Sequence, residues 1–313
     1  MRFFSRVSRP VRPAAGSTIS PEVLRKVQRL ELRTRGFVES LFSGEYLSVF
    51  HGRGMEFSHV REYQVGDDVR AIDWKVTARR GEPFVRQFVE ERDLLVMLVV
   101  DISASARFGP GARSAGDVAA EVAAALAFVA SRNNDRVGLV LASDKVEHFL
   151  PPGSGRKHVI RLLAELCAAR PRAVATDLTS AFERVSRSKG GRAVVFVVSD
   201  FIQDPASTEL RAALSRAARS HDVIAVRLAS PATLALPNVG WVEVTDPESG
   251  RRLLLDTGSR GARTRYARAM AESRVAMASL ISEAGADLIE VDTTQDAMAP
   301  LSQFFRLRQR VRR

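Results

Sequence analysis

Leu94-Leu95-Val96-Met97-Leu98-Val99-Val100-Asp101-Ile102-Ser103-Ala104-Ser105 is the stretch on which the reading of this chain turns. Its first seven residues are all apolar, the pattern of a strand covered on both faces and hence of the interior of a parallel sheet. The run then stops in Asp-x-Ser-x-Ser. In extended chain, positions i, i+2 and i+4 point the same way. The Asp101 carboxylate and the Ser103 and Ser105 hydroxyls can therefore converge at the carboxyl end of a central strand. Open α/β sheets place their ligands at that edge. Three oxygen donors suit a small hard cation; the plainer use of Ser103 and Ser105 is as turn and helix-cap residues.

The same design recurs in Val194-Val195-Phe196-Val197-Val198-Ser199-Asp200, and Thr176-Asp177 precedes a helical pattern. Around these pieces strands and helices alternate, as βαβ units require. Helix 115–131, strand 136–142, a hairpin to 146–150 and helix 156–169 come first. Helix 178–188, strand 192–199, helix 208–220 and strand 223–228 follow. A hairpin of 241–245 with 252–256, helix 259–283, strand 287–291 and a basic helix from about 295 complete the order. The prediction is an α/β fold with a Rossmann-like, doubly wound and mostly parallel sheet. Ahead of it, Ser20-Pro21-Glu22 opens a helix whose apolar face is Val23, Val27, Leu30 and Phe37. Four segments result. They are a basic arm over 1–18, an N-terminal helix with a charged lid region over 19–92, the α/β domain over 93–293, and a C-terminal basic helix or tail over 294–313.

With 313 residues, 45% hydrophobic and 27% charged, the chain can bury a full core and fits one large domain plus an appendage. Cys167 is the sole cysteine, which excludes an intrachain disulfide and a cysteine zinc cage and suits a reducing compartment. Its neighbours Leu162, Leu163 and Leu166 make it a core thiol rather than a nucleophile. The net charge of +11 belongs to the ends. Arg2, Arg6, Arg9, Arg12, Arg306, Arg308, Arg310, Arg312 and Arg313 supply nine of the eleven charges, with no acid among them in either terminal run. Such tails are solvated ends able to make a weak contact with an anionic membrane surface. Nucleic-acid binding is disfavoured, because no aromatic side chain interleaves the C-terminal arginines. Neither a secretory leader nor a run of ~18 apolar residues is visible, so a cytoplasmic location is expected.

Asp101, Ser103, Ser105, Thr176 and Asp200 together resemble the metal-ion-dependent adhesion site of von Willebrand factor A domains. There an Asp-x-Ser-x-Ser loop, a threonine from a second loop and an aspartate after a later strand surround one divalent ion. The resemblance implies a von Willebrand factor A-like sheet. It also implies one Mg²⁺, or Mn²⁺ in its place, held by Asp101, Ser103, Ser105 and Thr176, with Asp200 bound directly or through water. Mostly neutral oxygens suit magnesium; calcium prefers more carboxylates.

A second block runs Gly52-Arg53-Gly54-Met55-Glu56-Phe57, Arg61-Glu62-Tyr63, Gly66-Asp67-Asp68-Val69-Arg70-Ala71-Ile72-Asp73-Trp74, Thr77-Ala78-Arg79, Val85-Arg86-Gln87-Phe88 and Glu90-Glu91-Arg92. Dense charges of mixed sign with Phe57, Tyr63, Ile72, Trp74 and Phe88 as anchors read as an ion-paired lid packed on the sheet. This block ahead of such a domain resembles the bacterial family named domain of unknown function 58, over about residues 24–305. Members typically occur with MoxR-type AAA+ ATPases, in chaperone-like maturation or assembly of other proteins. The resemblance implies such an ATPase and its client protein as partners, engaged through an acidic side chain that completes the shell of the ion.

Enzyme motifs are missing from the sequence. Gly153-Ser154-Gly155-Arg156-Lys157-His158 lacks the spacing of a phosphate loop, and His158 stands where a hydroxyl is needed. No Gly-x-Ser-x-Gly elbow occurs. His51, His59, His148, His158 and His221 fall in unrelated elements. A binding module without catalysis is expected. The alternative is a metal-dependent phosphohydrolase using the same pocket, in which Ser103 would stand where the acid/base carboxylate belongs.

Overall fold

The computed structural model describes residues 20–42, 55–90, 94–105, 113–170, 176–188, 191–245 and 252–311. The basic arm, Gly52 to Gly54, and Arg312 and Arg313 lie outside the described residues. The first elements are helix α1 (Pro21–Phe42), strand β1 (Met55–Glu62), helix α2 (Trp74–Arg80), β2 (Phe84–Glu90) and β3 (Leu95–Asp101). Next come α3 (Ala115–Arg132), β4 (Arg136–Ala142), β5 (Val146–Gly153), α4 (Arg156–Ala168), α5 (Thr179–Ser186), β6 (Ala193–Ser199) and α6 (Thr208–Ser220). The chain continues through β7 (Asp222–Ala229), α7 (Pro231–Leu234), β8 (Trp241–Thr245) and β9 (Arg252–Asp256). It ends with α8 (Arg260–Glu283), β10 (Asp287–Asp292) and α9 (Met298–Val311).

Every side chain of β3 is buried, because successive residues alternate between two apolar layers. Val96, Leu98 and Val100 face α1, α3, α4 and α9, while Leu95, Met97 and Val99 face α5, α6 and α8. The six-stranded sheet runs β10-β7-β6-β3-β4-β5. β3 pairs in parallel with both β4 and β6, and β5 alone is antiparallel. The chain leaves β3 toward β4 and β5, then returns to the other side as β6. The order therefore reverses between β3 and β6, which opens a crevice at their carboxyl ends. The α/β, doubly wound, mostly parallel sheet expected from the sequence is the fold observed.

Close packing constrains the middle of this sheet. On β4, a Cβ at Gly138 would lie 2.6 Å from the Met97 sulfur, so any larger residue there would have to displace the end of that side chain. α3 begins with a reciprocal cap between Ser114 and Asp117 and buries most of its length. The phosphate-loop-like segment is a helix entrance, with Gly155 at φ +85° opening α4 and His158 bonded to the Val137 carbonyl at 2.7 Å. Cys167 packs beside the core, and burial pushes its thiol pKa up.

The two terminal helices belong to this core. α1 buries Val27, Phe37, Val38 and Leu41 against it, each worth about 1.5–3 kcal/mol when fully covered. On α9, Phe305 lies between Phe37 and Phe196, with ring centroids 6.4 Å from each. This corrects the reading of Arg308 as a solvated tail charge. Its guanidinium donates to both Asp222 oxygens at 2.6 Å and lies 3.4 Å from Asp287. Helical spacing puts Leu301, Phe305 and Arg308 on one inward stripe of α9, a periodicity that counting arginines does not see.

Residues 55–90 form their own small unit. β1 and β2 pair antiparallel with each other, and the flanking acids serve local turns. Arg61 grips Asp67 through two bonds of 2.7 Å, Asp68 caps a 3-10 turn, and Asp73 caps α2. The segment over 44–82 reads as polar and turn-rich in sequence, yet β1 lies within it. A register shift between Phe57 and His59 breaks the two-residue alternation that would announce a strand. Of the expected anchors, Ile72 is buried and Tyr63 partly so, but Trp74 is 68% exposed as the first residue of α2. The side chains of Phe57 and Phe88 lie outside the described residues. β8 and β9 form the predicted late hairpin.

Candidate metal centre

The site starts from the end of β3. Asp101 occupies the last strand position on the face that carries Met97 and Val99, where its carboxylate is 3% exposed. One oxygen accepts the Ser103 N–H at 2.9 Å and the other accepts the Ser199 hydroxyl at 2.6 Å. The first bond folds the chain back, so that Ser103 and Ser105 bring their hydroxyl oxygens within 3.0 Å of each other. Burial and the nearby charge of Asp200 push the Asp101 pKa up to about 6, against the hydrogen bonds from Ser199 and Ser103.

Asp200 comes from the adjacent strand end. Its backbone is fixed by two local bonds, Phe201 N–H to the Ser199 hydroxyl at 2.9 Å and Ile202 N–H to the Asp200 carboxylate at 3.0 Å. Phe201 holds φ +55°, a left-handed conformation that costs a non-glycine residue about 1–2 kcal/mol. Its ring, buried in the layer shared with α5, α6 and α8, holds the chain in that turn. Burial raises the Asp200 pKa, opposed by the Ile202 N–H and the Ser105 hydroxyl. Ser105 thus faces Asp200 across the two strand ends.

Thr176 arrives on a third loop. Asp177 N–H donates to the Ser143 carbonyl just past β4 at 2.8 Å, and Leu178 N–H donates to the Gln203 side chain at 3.3 Å. β4 and β6 flank β3, so this loop is clasped on both sides of the strand that ends in Asp101. The Thr176 hydroxyl oxygen is buried and has no hydrogen-bond partner. Asp101, Ser103 and Ser105 are thus joined by hydrogen bonds, with Asp200 beside them at the neighbouring strand end. Thr176 occupies the same sheet edge without bonding to them.

These residues fit a hard divalent cation. The half-buried Asp200 carboxylate adds to the cost of ionising buried Asp101, three hydroxyls lie on the same edge, and one buried oxygen has no partner. Among the described residues, no three His, Cys, Asp and Glu side chains are grouped as a metal site. An ion here would therefore depend on the Ser and Thr hydroxyls.

Sequence reading missed three contributors. Ser199 orients Asp101 and braces the Asp200 turn; its signal was the two-residue alternation that puts 195, 197 and 199 on the Asp101 face. Ser180 and Gln203 carry buried polar atoms without partners on the Thr176 side of the crevice. Nothing local in the sequence marks those two.

Residues 59–276 match the family described as protein of unknown function DUF58. The uncharacterized protein Rv1480 of Mycobacterium tuberculosis is 34% identical over 302 residues, covering 94% of this chain and 92% of its own length. Among solved structures, an aerotolerance-related membrane protein from Bacteroides fragilis is 17% identical, with 68% of this chain and 99% of that one covered and a TM-score of 0.48. The conserved hypothetical protein BatB of Bacteroides thetaiotaomicron is also 17% identical, with 69% and 99% covered and a TM-score of 0.44.

Proposed function

We propose that this chain, which belongs to the DUF58 family, is a cation-dependent protein-interaction module and not an enzyme. The observation that carries the reading is the junction of Asp101, Ser103, Ser105 and Asp200 at the switch point, beside the partnerless Thr176 hydroxyl. Asp101, Ser103, Ser105, Thr176 and Asp200 would hold Mg²⁺, or Mn²⁺ in its place. When bound, the ion would offer an electrophilic position to a carboxylate from a partner protein. Ser199 keeps one Asp101 oxygen turned inward, and the Phe201 turn fixes Asp200 above the strand end. The chain then contributes recognition, and chemical work falls to another protein. The family resemblance supports a MoxR-type AAA+ ATPase or its client as that partner, in chaperone-like maturation or assembly. Among the described residues, no helix is long and apolar enough to cross a membrane; a cytoplasmic location is part of the proposal.

Two measurements test it. Calorimetry should show one Mg²⁺ or Mn²⁺ bound by the wild type and none by the double variant Ser103→Ala, Ser105→Ala. Capture of the partner ATPase or client should collapse in EDTA and in Asp101→Ala, and return to the wild type with magnesium. Unchanged cation affinity in the double variant would sink the site. Turnover of a phosphoester that depends on Asp101 would replace this reading with the phosphohydrolase.

A further inference from the structure

β7 carries a charge where the fold asks for an apolar side chain. Val223, Ala225 and Arg227 share one face of the strand, and the first two are packed in the layer against α5, α6 and α8. Arg227 is 4% exposed. One terminal nitrogen pairs with Glu290 on β10, and the other donates to the Arg274 carbonyl on α8 at 2.9 Å. Arg274 spends its own guanidinium on the same Glu290 at 2.9 Å. Two guanidiniums thus share one carboxylate, and the buried Arg227 Nε–H has no acceptor. Burying an ion is costly even when it is paired, and leaving its N–H without an acceptor adds to that cost. A methionine would fill the position without either cost.

A cavity of about 40 Å³ lies beside this group, bounded by Arg227, Arg274, Asp200, Leu228, Met270 and Met277. Its size suits about three waters, or the terminal atoms of one acidic side chain. Apolar walls would cover the methylene stem, and the surplus positive charge would meet the carboxylate. We propose that this cavity receives an aspartate or glutamate side chain of a protein partner, as a second acid-binding position next to the cation. The proposal rests on the functional reading above for its partner, because Asp200 belongs to both sites. Without a cation, the Asp200 carboxylate repels an incoming acid; with one, that charge is engaged. The two positions therefore favour a partner segment that presents two acidic residues close together.

The full chain should be titrated, by fluorescence anisotropy, with a fluorescein-labelled hexaglutamate peptide in magnesium and in EDTA, with hexaglutamine as the control. Arg227→Met should weaken hexaglutamate binding at least ten-fold while leaving calorimetric Mg²⁺ affinity unchanged. Ser273→Phe, which fills the cavity from α8 without removing the Arg227–Glu290 pair, should do the same and decides the matter if Arg227→Met fails to fold. Hexaglutamate binding lost in EDTA but intact in both variants overturns the pocket and leaves the cation reading standing. Binding that survives EDTA and Ser103→Ala with Ser105→Ala, yet falls in both pocket variants, supports the pocket and sinks the cation reading. Equal affinity for hexaglutamine, or no hexaglutamate binding by the wild type at millimolar concentration, overturns the proposal outright.

Discussion

The two edges of the central sheet are built from the same strands and use their polar groups differently. At the amino edge, Asp135 accepts the Leu94 N–H at 3.0 Å, and His221 accepts the Ala193 N–H at 3.2 Å while its other nitrogen faces the Val185 carbonyl at 3.1 Å. Arg308 closes the starts of β7 and β10 through Asp222 and Asp287. Arg136 Nε lacks an acceptor there, but the strand starts themselves are tied down. At the carboxyl edge, Thr176, Ser180, Gln203 and Arg227 all carry buried polar atoms without partners, around two carboxylates whose pKa values are raised. Native proteins satisfy nearly all buried polar groups. What sets the carboxyl edge apart is that its exceptions stand beside two carboxylates of raised pKa, which is the ground for the binding position proposed above.

The largest expected effect comes from opening the closed edge. Arg308→Ala leaves Asp222 without its bidentate partner and should cost about 3 kcal/mol, read as a lower urea midpoint. A loss under about 1 kcal/mol would mean that α9 does not lock the strand starts.

At the open edge the balance should invert. In EDTA, Ser103→Ala with Ser105→Ala should alter stability by no more than about 1 kcal/mol, because neither hydroxyl supports the apolar layers. Added magnesium should raise the melting temperature of the wild type alone, since an ion that binds only the native state stabilises it. A large loss in EDTA would make these serines structural and erase the contrast.

Acid should attack the closed edge through His221. Burial, reinforced by Arg192 and opposed by the bond to Val185, holds its pKa below 6.5. The native state thus binds fewer protons than the unfolded chain, so its contribution is present above pH 6.5 and is lost as pH falls below it. Denaturant titrations at pH 7 and pH 5 should show the wild type losing stability, with a smaller difference in His221→Asn. An equal slope in both proteins would remove His221 from the comparison.

The smallest effect is expected outside both edges. Trp74→Ala should change stability by no more than about 0.5 kcal/mol, since the ring stands in solvent, whereas Ile72→Ala should cost about 2 kcal/mol or more. Equal losses on thermal melting would mean that the Trp74 ring is covered in solution.

Much of the fold was legible because its signals are local. A run of seven apolar residues over 94–100 and one of six over 193–198 read as strands covered on both faces, and the intervening helices announce themselves by caps and periodic apolar faces. The elements that resisted reading lack such signals. β1 is hidden by its bulge, and the inward stripe of α9 is masked by the arginines around it. The candidate site was readable where strand geometry dictates direction, as in Asp101, Ser103 and Ser105. Ser180, Gln203 and Arg227 were not, because each matters only through residues far away in the chain.

By itself, the sequence determined that this protein is a doubly wound α/β fold with oxygen donors at the carboxyl end of its central strand. Periodicity and chain order are properties of neighbouring residues, and they suffice for that. Only the tertiary structure decided which polar groups are paid off and which are left waiting. Register across β6, β7 and β10 set Arg227 beside Glu290, the clasp of Ser143 and Gln203 placed the Thr176 loop, and packing turned Arg308 inward. Hydrogen-bond satisfaction is a sum over every group that surrounds an atom, and those surroundings do not exist until the layers close.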